Sequence, residues 1–233
     1  MSTPERQFAE LLAAEPSRPF VTYYDEASGE RSELSVKSLA NWVAKTYHLI
    51  STELGLATGD TALIALPAHW ISVPVLLGCL AAGLELTVGG PADVAFVAPE
   101  TLAAAGQVPD VYAVAPDSAA VGFPDKPPPP ALDYVAAVRP QADAWAGVRL
   151  AARAEDPCLP GLSRAAVVAA AEASGLADGA RVLTTRGWSG PADWIAAVLA
   201  PVAARGSLVI VAHCADEAVV ARRMSQERAT VRL

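Results

Sequence analysis

Residues 55–67, GLATGDTALIALP, and residues 76–89, LLGCLAAGLELTVG, decide how this chain folds. In the first, Gly59 and Asp60 turn the backbone into a short apolar run that stops at Pro67, the pattern of a buried strand. A helix over about residues 70–82 follows, Gly83 ends it, and residues 84–88 form the next strand. Strand, helix and strand in such close succession make the unit of a parallel sheet.

The same alternation extends in both directions. Residues 20–34, FVTYYDEASGERSEL, read as a hairpin around Ser28 and Gly29, and Ser35 caps a helix whose stripe is Val36, Leu39, Val43, Leu49 and Ile50. Gly55 stops that helix. Strands over 94–97 and 111–114, with a helix near 99–105 between them, continue the series. Residues 151–160 read as loop, and Ser163 caps a helix over 164–174. A strand at 181–185, a helix at 191–204, a strand at 207–212, a helix at 216–228 and a strand begun at 230–233 complete the chain.

The fold class is therefore α/β, with two doubly wound β/α lobes. The tract Phe123-Pro124-Asp125-Lys126-Pro127-Pro128-Pro129-Pro130 fits neither helix nor central strand and serves as a stiff spacer. The expected division is an N-terminal lobe with its hairpin over 1–122, a proline-rich linker over 123–131 and a second lobe over 132–233.

Hydrophobic residues make up 53% of the 233 and charged residues 18%, a composition that buries a core. A net charge of -8 repels a phosphate backbone, so nucleic acid is not expected as a partner. Cys79, Cys158 and Cys214 form no C-x-x-C pair, so they read as reduced thiols and no metal is expected. Residues 1–15 carry Glu5, Arg6 and Glu10 and lack the pattern of a signal peptide. The uncharged stretch 61–84 is broken by Pro67, His69 and Pro74, so no membrane span is expected and the expected location is cytoplasmic.

Chemistry is sparse. Neither G-x-x-x-x-G-K nor G-x-G-x-x-G occurs, and Lys37, Lys45 and Lys126 stand beside no glycine loop, so binding of ATP or AMP is not expected. No G-x-S-x-G elbow is present; His48, His69 and His213 are scattered, and His48 reads as a helix-face residue. Two places remain. Residues 184–190, TTRGWSG, join a strand end to a helix start, and Thr185, Arg186 and Ser189 there suit an anion; a tight turn with Trp188 packed on its neighbours is the other reading. His213, Cys214 and Asp216 follow a strand's carboxyl end, where ligands of α/β proteins bind, unless Asp216 only caps the last helix.

In order and in wording these segments resemble the N-terminal domain of the adenylate-forming superfamily of acyl-CoA synthetases, peptide adenylation domains and luciferases. LSVKSL at 34–39 stands where that family has its helix entry, and 55–67 is similar to G-x-x-x-G-D-x-V-x-x-x-x-P. Residues 76–89 are similar to L-A-x-L-x-A-G-A-x-x-V-P. VLAPVAARGSLVIV at 198–211 and ERATV at 227–231 resemble the family's later helix, strand and E-x-x-V-T segment. The family's phosphate loop, a hydroxyl-rich run ending in P-K-G, belongs at 156–163, where this chain has DPCLPGLS. The aromatic or His residue that often follows the next strand is replaced by the 186–190 loop, and the chain ends at Leu233, before the adenylate motif and the C-terminal domain with its catalytic lysine.

The resemblance is greatest to an actinobacterial family of such short, phosphate-loop-less proteins. It implies a catalytically degenerate relative, with no catalytic residue, that acts as a binding or interaction module for a partner protein, a second copy of itself or an acyl-type small molecule. The alternative is a related enzyme with a site rebuilt from Thr185, Arg186, Ser189, His213 and Asp216, or one that needs a partner to complete its site.

Overall fold

Two five-stranded sheets with a layer of helices between them account for the long apolar runs. The structure is a computed structural model that describes residues 2–115 and 122–233; residues 116–121, at the end of the expected first lobe, lie outside the described residues. Its strands are β1 (Pro19–Asp25), β2 (Arg31–Ser35), β3 (Thr61–Ala65), β4 (Glu85–Thr87), β5 (Val94–Val97), β6 (Asp110–Ala113), β7 (Leu132–Asp133), β8 (Pro157–Leu159), β9 (Leu162–Ser163), β10 (Arg181–Thr184), β11 (Ser207–Ala212) and β12 (Val231–Arg232). Its helices are α1 (Pro4–Ala14), α2 (Val36–His48), α3 (Ser72–Ala82), α4 (Tyr134–Val138), α5 (Arg164–Glu172), α6 (Pro191–Trp194), α7 (Ala200–Ala203) and α8 (Glu217–Gln226).

One sheet runs β4-β3-β5-β6-β7 and is parallel throughout; the other runs β12-β10-β11-β1-β2, parallel except for the β1–β2 hairpin. The hairpin expected with the first lobe thus belongs to the sheet of the second half. β1 is buried along five consecutive residues, Phe20 to Tyr24, and needs a partner on each edge. The polar β2 covers one edge, and β11 takes the other in parallel register, with Asp25 beside Ala212. Leu132 and Asp133, expected with the second lobe, extend the first sheet instead by pairing with β6. Asp133 also accepts a hydrogen bond from the Phe123 amide at 2.9 Å, which ties both ends of the proline tract to that sheet's edge.

Alternation along each strand divides the core. Ala62 and Ile64 of β3 and Leu208 and Ile210 of β11 face the helices between the sheets, whereas Leu63, Val209 and Val211 face smaller clusters on the outer sides. Every residue of α3 is buried, which explains why the sequence around it carries no charge. No helix among the described residues is long and apolar enough to cross a membrane. Gly78 lets α3 approach α2, since a Cβ there would lie 2.5 Å from the Cβ of Thr46.

Elsewhere the local signals act as read. Ser35 and Ser163 cap α2 and α5 through their hydroxyls, and Gly83, at φ 93°, ends α3. The helix at 99–105 is of the 3-10 type. That at 191–203 is interrupted by a π-turn, Ile195–Leu199, ahead of Pro201, which lacks an amide hydrogen.

α1 and the β8–β9 hairpin have no counterpart in the sequence reading. α1 starts with Pro4 and packs Phe8 and Leu11 into the central core. Residues 157–160, expected as loop, open the antiparallel β8–β9 hairpin, which turns around Pro160 and Gly161 and ends at Ser163.

The residue after that hairpin is the most consequential charge in the molecule. Arg164, fully buried at the first position of α5, donates through Nη1 to Glu5 Oε2 at 2.7 Å and to the Leu80 carbonyl at 3.0 Å. Its Nη2 donates to the Leu84 carbonyl at 3.0 Å. Arg164 thereby satisfies carbonyls at the C-terminal end of α3, with Glu5 of α1 neutralising it. Removing one member of a buried ion pair leaves the other uncompensated, so Arg164→Leu is expected to cost about 3–5 kcal/mol. Urea unfolding monitored by circular dichroism measures this, and a loss below about 1 kcal/mol would contradict it.

Candidate functional site

Parallel pairing places the carboxyl ends of β1, β10 and β11 along one edge, and the segment after β3 meets them from the other sheet. There a cavity of about 380 Å³ opens between the sheets. Tyr23 and Asp25 reach it from β1, Thr185 and Arg186 from the loop after β10, and His213 from the end of β11. His69 and Glu100 line the opposite wall. A second cavity of about 270 Å³ shares Pro67 and Glu100 with the first and is walled by Trp188, Ser189 and Trp194. The position is that where open α/β sheets bind ligands.

Of the five candidate residues, three meet in the main cavity: Thr185, Arg186 and His213. Ser189 faces the neighbouring one, and both its amide and its hydroxyl donate to Asp193 Oδ2 at 2.7 Å. Burial opposes ionisation of Asp193, yet donors from Ser189 and Gly190 and the charge of Arg186 hold its pKa below the ordinary value. The loop is held further by the Arg186 amide, which donates to Thr184 Oγ1 at 3.0 Å. Asp216 does not line the cavity; its side chain accepts from the Ala218 amide at 2.8 Å and caps α8.

The partner of His213 is Asp25. The ring Nδ1 lies 2.8 Å from Asp25 Oδ1, which also accepts the Ala27 amide at 2.8 Å. The pairing follows from register: Asp25 lies beside Ala212, so the next residue, His213, is within reach. Burial disfavours the Asp25 carboxylate, but the hydrogen bond from His213, with the Ala27 amide and the Ser28 hydroxyl, outweighs this and holds its pKa below the ordinary carboxylate value.

Sequence reasoning missed Asp25, His69, Tyr23 and Glu100 as cavity residues. His69 had a readable signal, since it follows β3 directly at a strand's carboxyl end. It is buried, accepts the Ile71 amide at Nδ1 and so carries its proton on Nε2, 3.9 Å from Glu30 Oε1, with its ring 4.3 Å from that of Tyr23. The phenol of Tyr23 is pushed upward by burial and by Asp25 and Glu30, so it remains a donor. His48 lies on α2 near Thr52, away from the cavity. Cys79 and Cys158 are buried, and burial pushes the Cys158 thiol up to about 12 against the pull of Arg164. Among the described residues no group of three or more His, Cys, Asp or Glu could hold a metal ion.

No family model matches this chain. A protein of Mycobacterium tuberculosis described as a TIGR03089 family protein is 38% identical to it over 232 residues, covering 94% of this chain and 93% of that one. Among solved structures, an acetoacetyl-CoA synthetase from Streptomyces lividans superposes with a TM-score of 0.78 at 16% identity, covering 99% of this chain and 42% of that one. An acyl-CoA synthetase from Brucella canis gives 0.75 at 13% identity, with 99% and 47% covered. An anthranilate CoA ligase in complex with anthranoyl-AMP gives 0.74 at 12%, with 99% and 49% covered. This chain therefore spans less than half the length of these enzymes, and the likeness is one of fold: that of the N-terminal subdomains of adenylate-forming enzymes.

A carboxyl whose pKa is lower in the native state than in the unfolded chain adds stability above its unfolded value and loses it as pH falls through the native value. The stability difference between the wild type and Asp25→Asn is thus expected to be full near about pH 6 and to shrink as pH falls below 3.8. Denaturant unfolding across that range reads it, and a difference independent of pH would contradict the assignment.

Proposed function

The chain belongs to the TIGR03089 family, and from that premise we propose that it is a non-adenylating member of the adenylate-forming fold, which holds a small acyl-type carboxylate in the cleft between its sheets. The observation that carries this reading is the start of α5. A helix start binds phosphate through free amides and a nearby cation. Here the Arg164 amide donates to the Asp156 carbonyl at 3.0 Å, the Ala165 amide to the Ala154 carbonyl at 2.9 Å, and the Ala166 amide to Ser163 Oγ at 3.2 Å. The guanidinium that follows the hairpin is turned inward to Glu5. A hairpin of two short strands stands where a hydroxyl-rich loop would be needed, and none of residues 157–163 lines either cavity. These residues do not fit a nucleoside triphosphate, so no step through ATP is assigned.

A small ligand suits the remaining features better than a partner protein. Arg186 is an exposed cation at the cleft, beside hydroxyls of Thr185 and Tyr23. Among the described residues the exposed large hydrophobics are Val88 and Leu132, on β-strand margins of separate parts of the surface, which offers little for a docking face. The three cysteines are free, and a cytoplasmic location is part of the same proposal.

Two measurements test it on the purified chain. With ATP and a panel of carboxylic acids, pyrophosphate exchange is expected to stay at background, and exchange above it would overturn the reading. By calorimetric titration at least one acid of the panel is expected to bind, and Arg186→Ala is expected to weaken that binding about 10- to 100-fold. Unchanged affinity in that variant would remove Arg186 from the site.

A further inference from the structure

Among the described residues, three non-glycine residues have a left-handed backbone: Arg205, His213 and Arg228. Arg205 and Arg228 each follow the C-cap of a helix, α7 and α8, where that conformation is ordinary. His213, at φ 53°, follows a strand and lies on the cleft. A left-handed backbone is unfavourable for a residue with a Cβ and persists where the surroundings impose it, often at functional sites.

What the turn achieves is visible in the side chain. It brings the imidazole, 66% exposed, onto a carboxylate that is 14% exposed and already fixed by the Ala27 amide. An ionised Asp25 is an acceptor only, so Nδ1 must carry the proton and the neutral ring keeps a lone pair on Nε2. Nε2 has no hydrogen-bond partner among the described residues. A base whose far nitrogen is oriented by a half-buried carboxylate, beside a cavity that is also lined by a cation, is the arrangement of general-base catalysis.

We propose that the cleft hydrolyses activated acyl esters, with His213 as general base, Asp25 as its positioning residue and Arg186 as the holder of developing negative charge. This rests on the cleft being a ligand site, as in the preceding section. Water gives a proton to His213 Nε2 while its oxygen bonds the acyl carbon, and the carbonyl electrons move to the oxygen facing Arg186. As the adduct collapses, the bond to the alcohol oxygen breaks and the leaving group takes the proton from the imidazolium. The products are a carboxylic acid and an alcohol; no oxidant or metal enters the balance.

The test uses the full chain with p-nitrophenyl esters of short and medium acyl length. Saturable nitrophenol release is expected, and His213→Gln is expected to lower kcat at least about 100-fold. Asp25→Asn is expected to lower kcat with KM little changed, which a merely structural loss would not produce. His213→Asn, which tolerates the left-handed backbone, is expected to show the same loss and covers the case in which His213→Gln folds poorly. No release above buffer, or release undiminished in a folded His213 variant, would overturn the inference. Binding of a carboxylic acid without ester turnover overturns this inference alone; absence of both overturns the binding reading with it.

Discussion

An arginine with no access to water holds the centre of this molecule. α3 is enclosed on all sides between two sheets, so its C-terminal carbonyls have no solvent to turn to. Arg164 satisfies two carbonyls there, those of Leu80 and Leu84, and its charge is balanced by Glu5. One side chain therefore fixes the relative positions of α1, the end of α3, the start of β4 and the start of α5. The geometry also commits the first turn of α5: its cation points inward, and its first three amides are taken by Asp156, Ala154 and Ser163.

The consequence for function follows from where polar groups remain available. The first three amides of α5 are engaged within the chain, whereas at the strand ends Arg186, Thr185, His213 and Asp25 meet His69 and Glu100 across the inter-sheet cavity. Parallel register does the gathering. Because β1 runs beside β11, the last residue of an early strand stands next to the last residue of a late one, 187 positions apart. The same pairing that buries β1 on both edges thus assembles the histidine and its carboxylate.

Much of the fold was legible because local signals and burial agree. The Ser35 and Ser163 caps, the Gly83 stop and the apolar strand at 61–65 act in the structure as their chemistry dictates. What escaped reading depends on contacts distant in sequence. The hairpin looked like part of the first lobe because adjacency in sequence says nothing about which sheet edge is unpaired. Glu5 was read only as one of the charges that argue against a signal peptide, because its partner lies 159 residues away. Of the site, Arg186 and His213 were visible as residues following strands, whereas Asp25 required the β1–β11 register and Asp216 turned out to cap α8.

In the proposed reading a ligand is held at the strand ends, 184–189 and 213, and not at the helix start, 164–166. Amide chemical-shift mapping of the isotope-labelled chain addresses both places at once. With a bound carboxylic acid, amides of Thr185, Arg186 and His213 are predicted to shift, and with magnesium and ATP those of Arg164, Ala165 and Ala166 are predicted to stay in place. Saturable shifts at Arg164 to Ala166 on addition of the nucleotide would contradict that placement.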